Sequence, residues 1–275
     1  MKRIMTIQDI SCVGKCSLTV ALPIISAAGV EAAVLPTAVL STHTAFSKFT
    51  FCDLTDEIPK ISDVYGELGI GFDAIYTGYL GSFRQLELVG DFIDRHGRGA
   101  MIVVDPAMAD NGQLYKGFTE DFALAMGKLC GKADLIIPNL TEASFMLGVP
   151  YNPDYDEEYI RALLRSLTGL GSRYAALTGI GFSEDEIGVY AYDSVTDSYF
   201  SYFNERLPVS FHGTGDIYAS AAVGALMRGR SVNDSLALAV DYTLECMRKT
   251  MADENHRFYG VNFEEALPMY IERLK

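Results

Sequence analysis

Short apolar runs rich in β-branched residues alternate with longer segments of helical periodicity along most of this 275-residue chain. Runs of this kind predict strands, and the segments between them predict helices. Alternating strands and helices build a mostly parallel central sheet with helices on both faces, which is an α/β fold. The predicted strands are residues 4–8, 33–40, 74–77, 101–104, 135–137 and 174–177.

Two later runs predict a different kind of strand pair. Residues 187–192 and 198–203 flank the polar segment 193–197. Two β-rich runs around a short polar turn favour an antiparallel hairpin, which would join the sheet late in the chain. Neither a repeat nor a Pro-, Gly- or Ser-rich linker divides the sequence, so we expect one domain over residues 1–275.

The charge of the chain excludes several classes of partner. Its formal net charge is −14 and its pI is about 4.7. Nucleic acids and anionic membranes bind proteins through clustered Lys and Arg, so we expect neither of them as a partner. We expect a small-molecule partner instead. No apolar run has the length of a membrane span, and we expect a cytoplasmic protein.

The cysteines point to neither a disulfide framework nor a zinc site. There are five, and only Cys12 and Cys16 lie close together. The same segment contains Gly14-Lys15, a pair that also occurs in nucleotide-binding phosphate loops. The earlier glycine of that motif is missing, and Cys16 stands where Ser or Thr would hold Mg²⁺, so we reject this interpretation.

Polar residues follow each predicted strand. In an open parallel sheet, ligands bind in the crevice outside the carboxyl ends of the strands, so these residues are expected to converge on one site. They are Asp9, Ser41 to Thr44, Gly78, Tyr79, Asp105, Asn139 and Thr178.

The sequence Gly213-Thr214-Gly215-Asp216 leads directly into an apolar stretch that predicts a helix. Glycines allow a close backbone approach, and the first N–H groups of a helix have no intrahelical partner, so this junction can hold an anion. Asp216 could then accept a proton from an attacking hydroxyl. Taken alone, the motif favours a tight turn in which Asp216 caps the helix, and the anion site gains its support from the rest of the chain.

Phosphoryl transfer to an alcohol needs a base, donors for the phosphoryl oxygens and Mg²⁺. Asp216 and the N–H groups of residues 213–215 would supply the first two. Mg²⁺ keeps several waters and few protein oxygens, so carboxylates at separate strand ends are suitable partners. Each candidate alone is also typical of a turn or a helix start. The candidates for the metal surroundings are Asp105, Asp110, Asn139 and Glu142.

These residues resemble the ribokinase-like superfamily and, within it, the pyridoxal kinases, over nearly the whole chain. The motifs that begin at Pro138 and Gly213 resemble those shared by the superfamily, whereas Thr42-His43-Thr44 and the segment from Asp105 to Gly112 resemble vitamin kinases. The resemblance rests on Thr6-Ile7-Gln8, Ser41-Thr42-His43-Thr44, Thr77-Gly78-Tyr79, the segment from Asp105-Pro106 to Asn111-Gly112, Pro138-Asn139-Leu140-Thr141-Glu142-Ala143 and Gly213-Thr214-Gly215-Asp216.

The resemblance implies an ATP-dependent kinase that phosphorylates the hydroxymethyl group of a vitamin B6 compound and acts as a homodimer. It implies Mg²⁺, and K⁺ as a frequent monovalent cation. The implied roles are as follows: Asp216 is the base; Gly213, Thr214 and Gly215 form the anion hole; Asn139 and Glu142 help to arrange Mg²⁺ and the phosphates; Asp105 and Asp110 lie near the metal and the γ-phosphate; Thr178 lines the phosphate path; Asp9, His43, Thr44 and Tyr79 surround the vitamin ring. The metal ligands among them would be Asp105 and Glu142. His43 and Tyr79 would equally serve as structural residues.

Two positions depart from the pattern of pyridoxal kinases. Asp9 stands where Ser is usual, and an ionised carboxylate there would pair with a protonated ring nitrogen or an amine, favouring pyridoxamine or an aminopyrimidine. Ala109 stands where Gly is more common. Residues 112–115 follow this acidic segment, and we expect them to form either a flap that excludes water or an ordinary surface loop.

Other functions compete with a vitamin B6 kinase. The nearest is a hydroxymethylpyrimidine kinase of thiamin synthesis, and a non-catalytic ligand-binding homologue is a further option. A sugar kinase would carry a glycine-rich lid near its N-terminus, which this sequence lacks. A dinucleotide-dependent oxidoreductase would need Gly-x-Gly-x-x-Gly after the first strand, and neither Gly69-Ile70-Gly71 nor Gly179-Ile180-Gly181 has the third glycine.

Overall fold

A nine-stranded sheet runs through the centre of the computed structural model, which describes residues 1–275. Its strand order is β11-β10-β9-β8-β5-β4-β1-β2-β3, and the six strands from β9 to β2 in this order are parallel to one another. The strands are β1 (Arg3–Val13), β2 (Glu31–Thr42), β3 (Phe51–Asp53), β4 (Ala74–Thr77), β5 (Met101–Val104), β6 (Ala109–Asp110), β7 (Gln113–Leu114), β8 (Leu135–Ile136), β9 (Tyr174–Ile180), β10 (Glu186–Asp193) and β11 (Ser198–Glu205).

Helices cover both faces of this sheet, and each face has its own core of 34 buried apolar residues. One core packs against α1, α7, α8 and α9, and the other packs against α2 to α6. The helices are α1 (Leu18–Ala27), α2 (Glu57–Glu67), α3 (Phe83–His96), α4 (Glu120–Cys130), α5 (Leu140–Leu147), α6 (Glu157–Thr168), α7 (Thr214–Met227), α8 (Val232–Ala252) and α9 (Phe263–Arg273).

The predicted α/β class is confirmed. All six predicted strands are present in the parallel part of the sheet, and the late hairpin is formed by β10 and β11, which pair antiparallel. The sequence did not indicate β3, a three-residue exposed edge strand that pairs antiparallel with β2. None of the helices is both long and apolar enough to cross a lipid bilayer.

The first strand is longer than predicted. We expected it to end at Gln8, but β1 continues to Val13, with a shift in its pairing to β2 between Gln8 and Ile10. Asp9 therefore lies at a bulge inside the strand and does not follow it. A bulge re-aims the side chains beside it, and here Asp9 and Ser11 are both buried.

A small antiparallel pair, β6 and β7, forms outside the main sheet. It covers the segment in which we expected either a flap or a surface loop. The N–H of Tyr115 donates to the carbonyl of Met108 at 2.8 Å, and the N–H of Gly112 donates to the Thr141 hydroxyl at 3.0 Å. This hairpin is therefore hydrogen-bonded to the start of α5.

Candidate active site

Helix α7 begins beside the carboxyl ends of the parallel strands. Its N-cap is Gly213, with φ of 83°, and no side chain caps the helix. Asp216 lies in the first turn, so the alternative that Asp216 is the N-cap is wrong. The first N–H groups of α7 have no intrahelical acceptor, and the positive end of the helix dipole lies among them.

Asp216 has one backbone donor. Its carboxylate accepts the N–H of Ser17 at 3.0 Å. Burial raises the pKa of Asp216 to about 6, the hydrogen bond from Ser17 opposes this rise, and the charge of Asp9 adds to it. A carboxylate with this pKa is ionised at neutral pH and still basic enough to take up a proton.

Asp9 is bound by two hydroxyl groups. Ser17 donates to one carboxylate oxygen at 2.5 Å, and Ser11 donates to the other at 3.0 Å. Burial raises the pKa of Asp9, although both hydroxyls favour the charged form. Ser17 thus contacts both carboxylates, Asp9 through its hydroxyl and Asp216 through its N–H.

The loop between β1 and α1 passes unusually close to the start of α7. A Cβ on Gly213 would lie 2.4 Å from the carbonyl oxygen of Lys15, so only glycine fits there. Lys15 and Ser17 have φ of 50° and 51°, in the left-handed region. Lys15 Nζ contacts the segment before α9, which agrees with rejecting a phosphate loop here.

A second group of carboxyls lies on the other side of Asp216. Burial and the charges of Glu142 and Asp216 raise the pKa of Asp105. Glu142 accepts the N–H groups of Met108 at 3.1 Å and Asn139 at 2.8 Å. Burial nevertheless raises the pKa of Glu142 to about 8. A cation bound between these carboxyls would relieve their mutual repulsion.

Asn139 holds Glu142 in place through a capping box. The Asn139 side chain accepts the N–H of Glu142 at 2.9 Å and donates to the carbonyl of Ala109 at 2.8 Å. Asn139 also pairs with Thr178 in an isolated parallel bridge, inside the range of β9. Thr178 therefore lies within a strand and not after it. Asp110 is exposed and binds the neighbouring Asn111.

The carboxylate oxygens in this region suit Mg²⁺, which keeps several waters as ligands, better than a metal ion whose ligands are all protein side chains. No group of three or more His, Cys, Asp or Glu side chains is close enough to hold an ion. Glu142 and Asp105 are both buried and close enough for the charge of Glu142 to raise the pKa of Asp105. Magnesium accepts one or two carboxylates together with waters and phosphate oxygens, so Asp105 and Glu142 fit it.

Of the four residues predicted to surround the vitamin ring, three lie close together and the fourth, Thr44, is exposed. Asp9 interacts electrostatically with His43 and Tyr79, so these three lie together. His43 is buried, accepts the N–H of Ala45 at 3.2 Å and donates to the carbonyl of Tyr259 at 3.2 Å. Both ring nitrogens are therefore used within the chain. Thr44 is exposed in the connection from β2 to β3.

The sequence did not indicate Ser17 or His212 as site residues. Ser17 acts partly through its backbone N–H, and every residue type except proline has one, so no side-chain pattern reports it. His212 stacks on His43 with ring centroids 4.1 Å apart. Partial burial and the neighbouring His43 lower the pKa of His212 to about 4. Both lowered pKa values favour the uncharged form of this histidine pair, which lies near Asp9.

Comparison with known proteins agrees with this geometry. A profile of the phosphomethylpyrimidine kinase family matches residues 22–260. A protein of Bacteroides thetaiotaomicron, provisionally named a phosphomethylpyrimidine kinase and crystallised with pyridoxal, is 39% identical, with a TM-score of 0.93. The two chains match over 98% of this one and 95% of the other.

Two further relatives bear on the acceptor. The pyridoxal kinase of Lactobacillus plantarum is 30% identical with a TM-score of 0.91, over 99% of this chain and 98% of its own. A hydroxymethylpyrimidine/phosphomethylpyrimidine kinase of Mycobacterium tuberculosis is 31% identical over 65% of this chain and 64% of its own. The chain therefore belongs to the phosphomethylpyrimidine kinase family and has the ribokinase-like fold of the pyridoxal kinases.

Proposed function

We propose that this protein transfers the γ-phosphoryl group of ATP to the hydroxymethyl group of pyridoxal, pyridoxamine or pyridoxine and so forms the 5′-phosphate. The observation that carries the proposal is the half-buried Asp216 carboxylate in the first turn of α7, beside unpaired helix N–H groups. The match to a pyridoxal kinase over nearly the whole chain supports the vitamin as acceptor.

Asp216 takes the proton of the attacking hydroxyl, and Gly213, Thr214 and Gly215 direct N–H groups at the phosphoryl oxygens. The pKa of about 6 keeps Asp216 ionised at neutral pH. The helix dipole and the N–H groups stabilise negative charge as it develops. Asp105 and Glu142 would hold Mg²⁺, which would neutralise negative charge on the triphosphate.

The phosphate path continues from this metal position. We assign Asn139 and Thr178, which pair at the strand ends, to its wall, and the exposed Asp110 to its mouth. The hairpin β6–β7 covers this side, and we propose that Tyr115 excludes water when nucleotide is bound. The tyrosine is close enough for the charges of Glu142 and Asp110 to raise its pKa.

The vitamin ring lies against Asp9, His43, Thr44 and Tyr79 in this proposal. Both oxygens of Asp9 already accept a hydroxyl proton, and each has a lone pair left for a ring N–H or an amine. An ionised Asp9 would therefore favour pyridoxamine over pyridoxal. Equal ranking of the vitamers in wild type and Asp9→Ser would remove this part of the proposal.

We further propose a homodimeric, cytoplasmic enzyme built as one domain. The free state of all five cysteines suits a reducing compartment. The edge strand β3 exposes Phe51, and the nearby Phe49 is also exposed, so this edge offers apolar surface to a second copy. Light scattering of the purified protein should give twice the chain mass of 30.1 kDa.

The first experiment is ADP release from Mg-ATP with and without K⁺, with pyridoxal, pyridoxamine, pyridoxine or hydroxymethyl-aminopyrimidine as acceptor. Mass spectrometry identifies the phosphorylated product. Turnover of a B6 vitamer supports the proposal. Turnover of the pyrimidine alone favours the second candidate, which the family match and the mycobacterial relative support. Asp216→Asn is the control: it should lose most turnover and keep ATP binding.

A further inference from the structure

The loop Gly14–Ser17 holds the backbone N–H that binds Asp216. This contact joins residues 199 positions apart in sequence, at 3.0 Å. The N–H belongs to Ser17, whose φ of 51° and ψ of −135° lie outside the favoured regions for a non-glycine residue. Such a conformation persists only where the surrounding structure enforces it.

Two glycines make room for this loop. A Cβ on Gly213 would lie 2.4 Å from the carbonyl oxygen of Lys15, and a Cβ on Gly260 would lie 2.5 Å from the Cβ of Lys15. The loop therefore runs in contact with the start of α7 on one side and with the segment before α9 on the other. Close packing supplies no directional bond, and the other hydrogen bonds of Cys16 and Ser17 reach β1 and α1, so bonds that tie the loop towards α9 must come from another side chain.

The side chain of Lys15 supplies those bonds. Its Nζ donates to the carbonyl of Val261 at 3.1 Å, to Asn262 Oδ1 at 3.3 Å and to Glu264 Oε2 at 2.9 Å. The ammonium group has three protons, so these partners use all of them. It also lies 5.7 Å from the centroid of the Phe263 ring, and its side chain is only 21% exposed.

We propose that Lys15 is a positioning residue for phosphoryl transfer: it ties the loop to the segment before α9 and so keeps the N–H of Ser17 on the Asp216 carboxylate. The inference rests on the proposed role of Asp216 as the base. Without the tie, the strained backbone at Ser17 relaxes, the N–H leaves Asp216, and the charged form of the carboxylate loses its one backbone donor.

Other titratable groups also face Asp216, and none of them is substituted in the Lys15 variants. Each comes from a different element packed around the first turn of α7. They are Asp9 on β1, Cys16 in the loop, Tyr76 on β4, Asp105 after β5 and Tyr115 after β7.

The test is a carboxyl ¹³C NMR titration of the free protein with labelled aspartate, in which the Asp216 signal is assigned from Asp216→Asn. The proposal predicts that Lys15→Met raises the pKa of Asp216 by about one pH unit, because a hydrogen bond to a charged group is lost. In the kinase assay, kcat at pH 6.5 should fall by about threefold or more, with the KM for ATP unchanged.

Removing the Lys15 charge would itself raise the pKa of a nearby acid, so a charge-balanced variant is needed. Lys15→Met combined with Glu264→Gln has the net charge of the wild type. The rise should persist in this double variant. Its disappearance would show a purely electrostatic effect, and an unchanged pKa in Lys15→Met would show that the loop holds without the lysine; either outcome overturns the proposal.

Two more variants complete the design. Lys132→Met removes a lysine that pairs with Asp94 on the surface, and it should leave the Asp216 pKa unchanged. Glu264→Gln replaces Lys15→Met in the test if Lys15→Met does not fold. Loosening the loop would raise the pKa of Asp216, whereas loss of the negative charge at position 264 alone would lower it. A fall there would contradict the proposal. Because the titration needs no acceptor, its outcome does not depend on which compound the enzyme phosphorylates.

Discussion

At the residue scale, the carboxylate of Asp216 is half-buried near that of Asp9, and these surroundings set the pH at which it accepts a proton. Below its pKa of about 6, Asp216 is protonated and cannot act as a base. We therefore expect kcat to rise with pH across this value and to level off above pH 7. The measurement is kcat from pH 5 to 8 at saturating substrates; a flat profile would place the base elsewhere.

Gly213 allows a second prediction at this scale. Gly213→Ala should unfold more easily by about 1–2 kcal/mol from its positive φ alone, and should also lose turnover because the new Cβ displaces the loop at Lys15. Gly229 is a matched control, since its φ is 89° and nothing lies within 4 Å of a Cβ there. Gly229→Ala should therefore lose stability because of its positive φ and keep its turnover. Urea unfolding and kcat measure the two effects, and equal kcat in both variants would contradict this account.

The sequence predicted individual residues where a side chain carries the signal. Asn139, Glu142 and Asp216 stand in recognisable motifs, and the structure places them around the start of α7 and α5. Ser17 and Lys15 escaped prediction for a physical reason. Their contacts join distant parts of the chain through backbone groups, and the local sequence does not encode them.

At the element scale, the capping box of α5 combines helix stability with the site. Asn139→Ala should cost about 1 kcal/mol of unfolding free energy, as loss of an N-cap generally does, and should lower kcat because Glu142 loses its position. Thr119 caps α4 in the same way, by accepting the N–H of Phe122. Thr119→Ala should therefore cost a similar stability without a change in kcat. An equal loss of activity in both variants would show that only stability matters.

Prediction of the elements succeeded where burial was continuous. The central strands are apolar because helices cover both of their faces, and such runs are visible in sequence. The end of β1 was placed too early because Gln8, Asp9 and Ser11 are polar yet buried in the continuing strand. The three residues of β3 are exposed, so they have no hydrophobic pattern to detect.

At the scale of the whole molecule, the buried carboxyls make folding depend on pH. The folded state holds Glu142 with a pKa of about 8, above its ordinary value of 4.5, so between these values it binds more protons than the unfolded chain. The free energy of unfolding should therefore fall as pH rises from 5 to 8 in the absence of Mg²⁺.

Glu142→Gln should flatten this decline, because the site then has one fewer group to ionise. Glu157→Gln is the control: Glu157 is exposed and its pKa is lowered by Tyr190 and Arg161, so its contribution changes only at more acidic pH. Urea unfolding at pH 5, 6, 7 and 8 measures each slope. Equal slopes in wild type and Glu142→Gln would mean that Glu142 titrates at its ordinary pH.

The position of α7 divides the site into two flanks. Asp9, His43 and Tyr79 belong to the side of β1, β2 and β4, whereas Asp105, Glu142 and Thr178 belong to the side of β5, α5 and β9. In the proposed assignment the acceptor contacts the first side, so mutations there would leave the residues proposed for phosphoryl transfer unchanged. A duplicated gene of this architecture could then diverge towards a new acceptor without rebuilding its second flank, which is consistent with relatives named for a pyridine vitamin and for a pyrimidine.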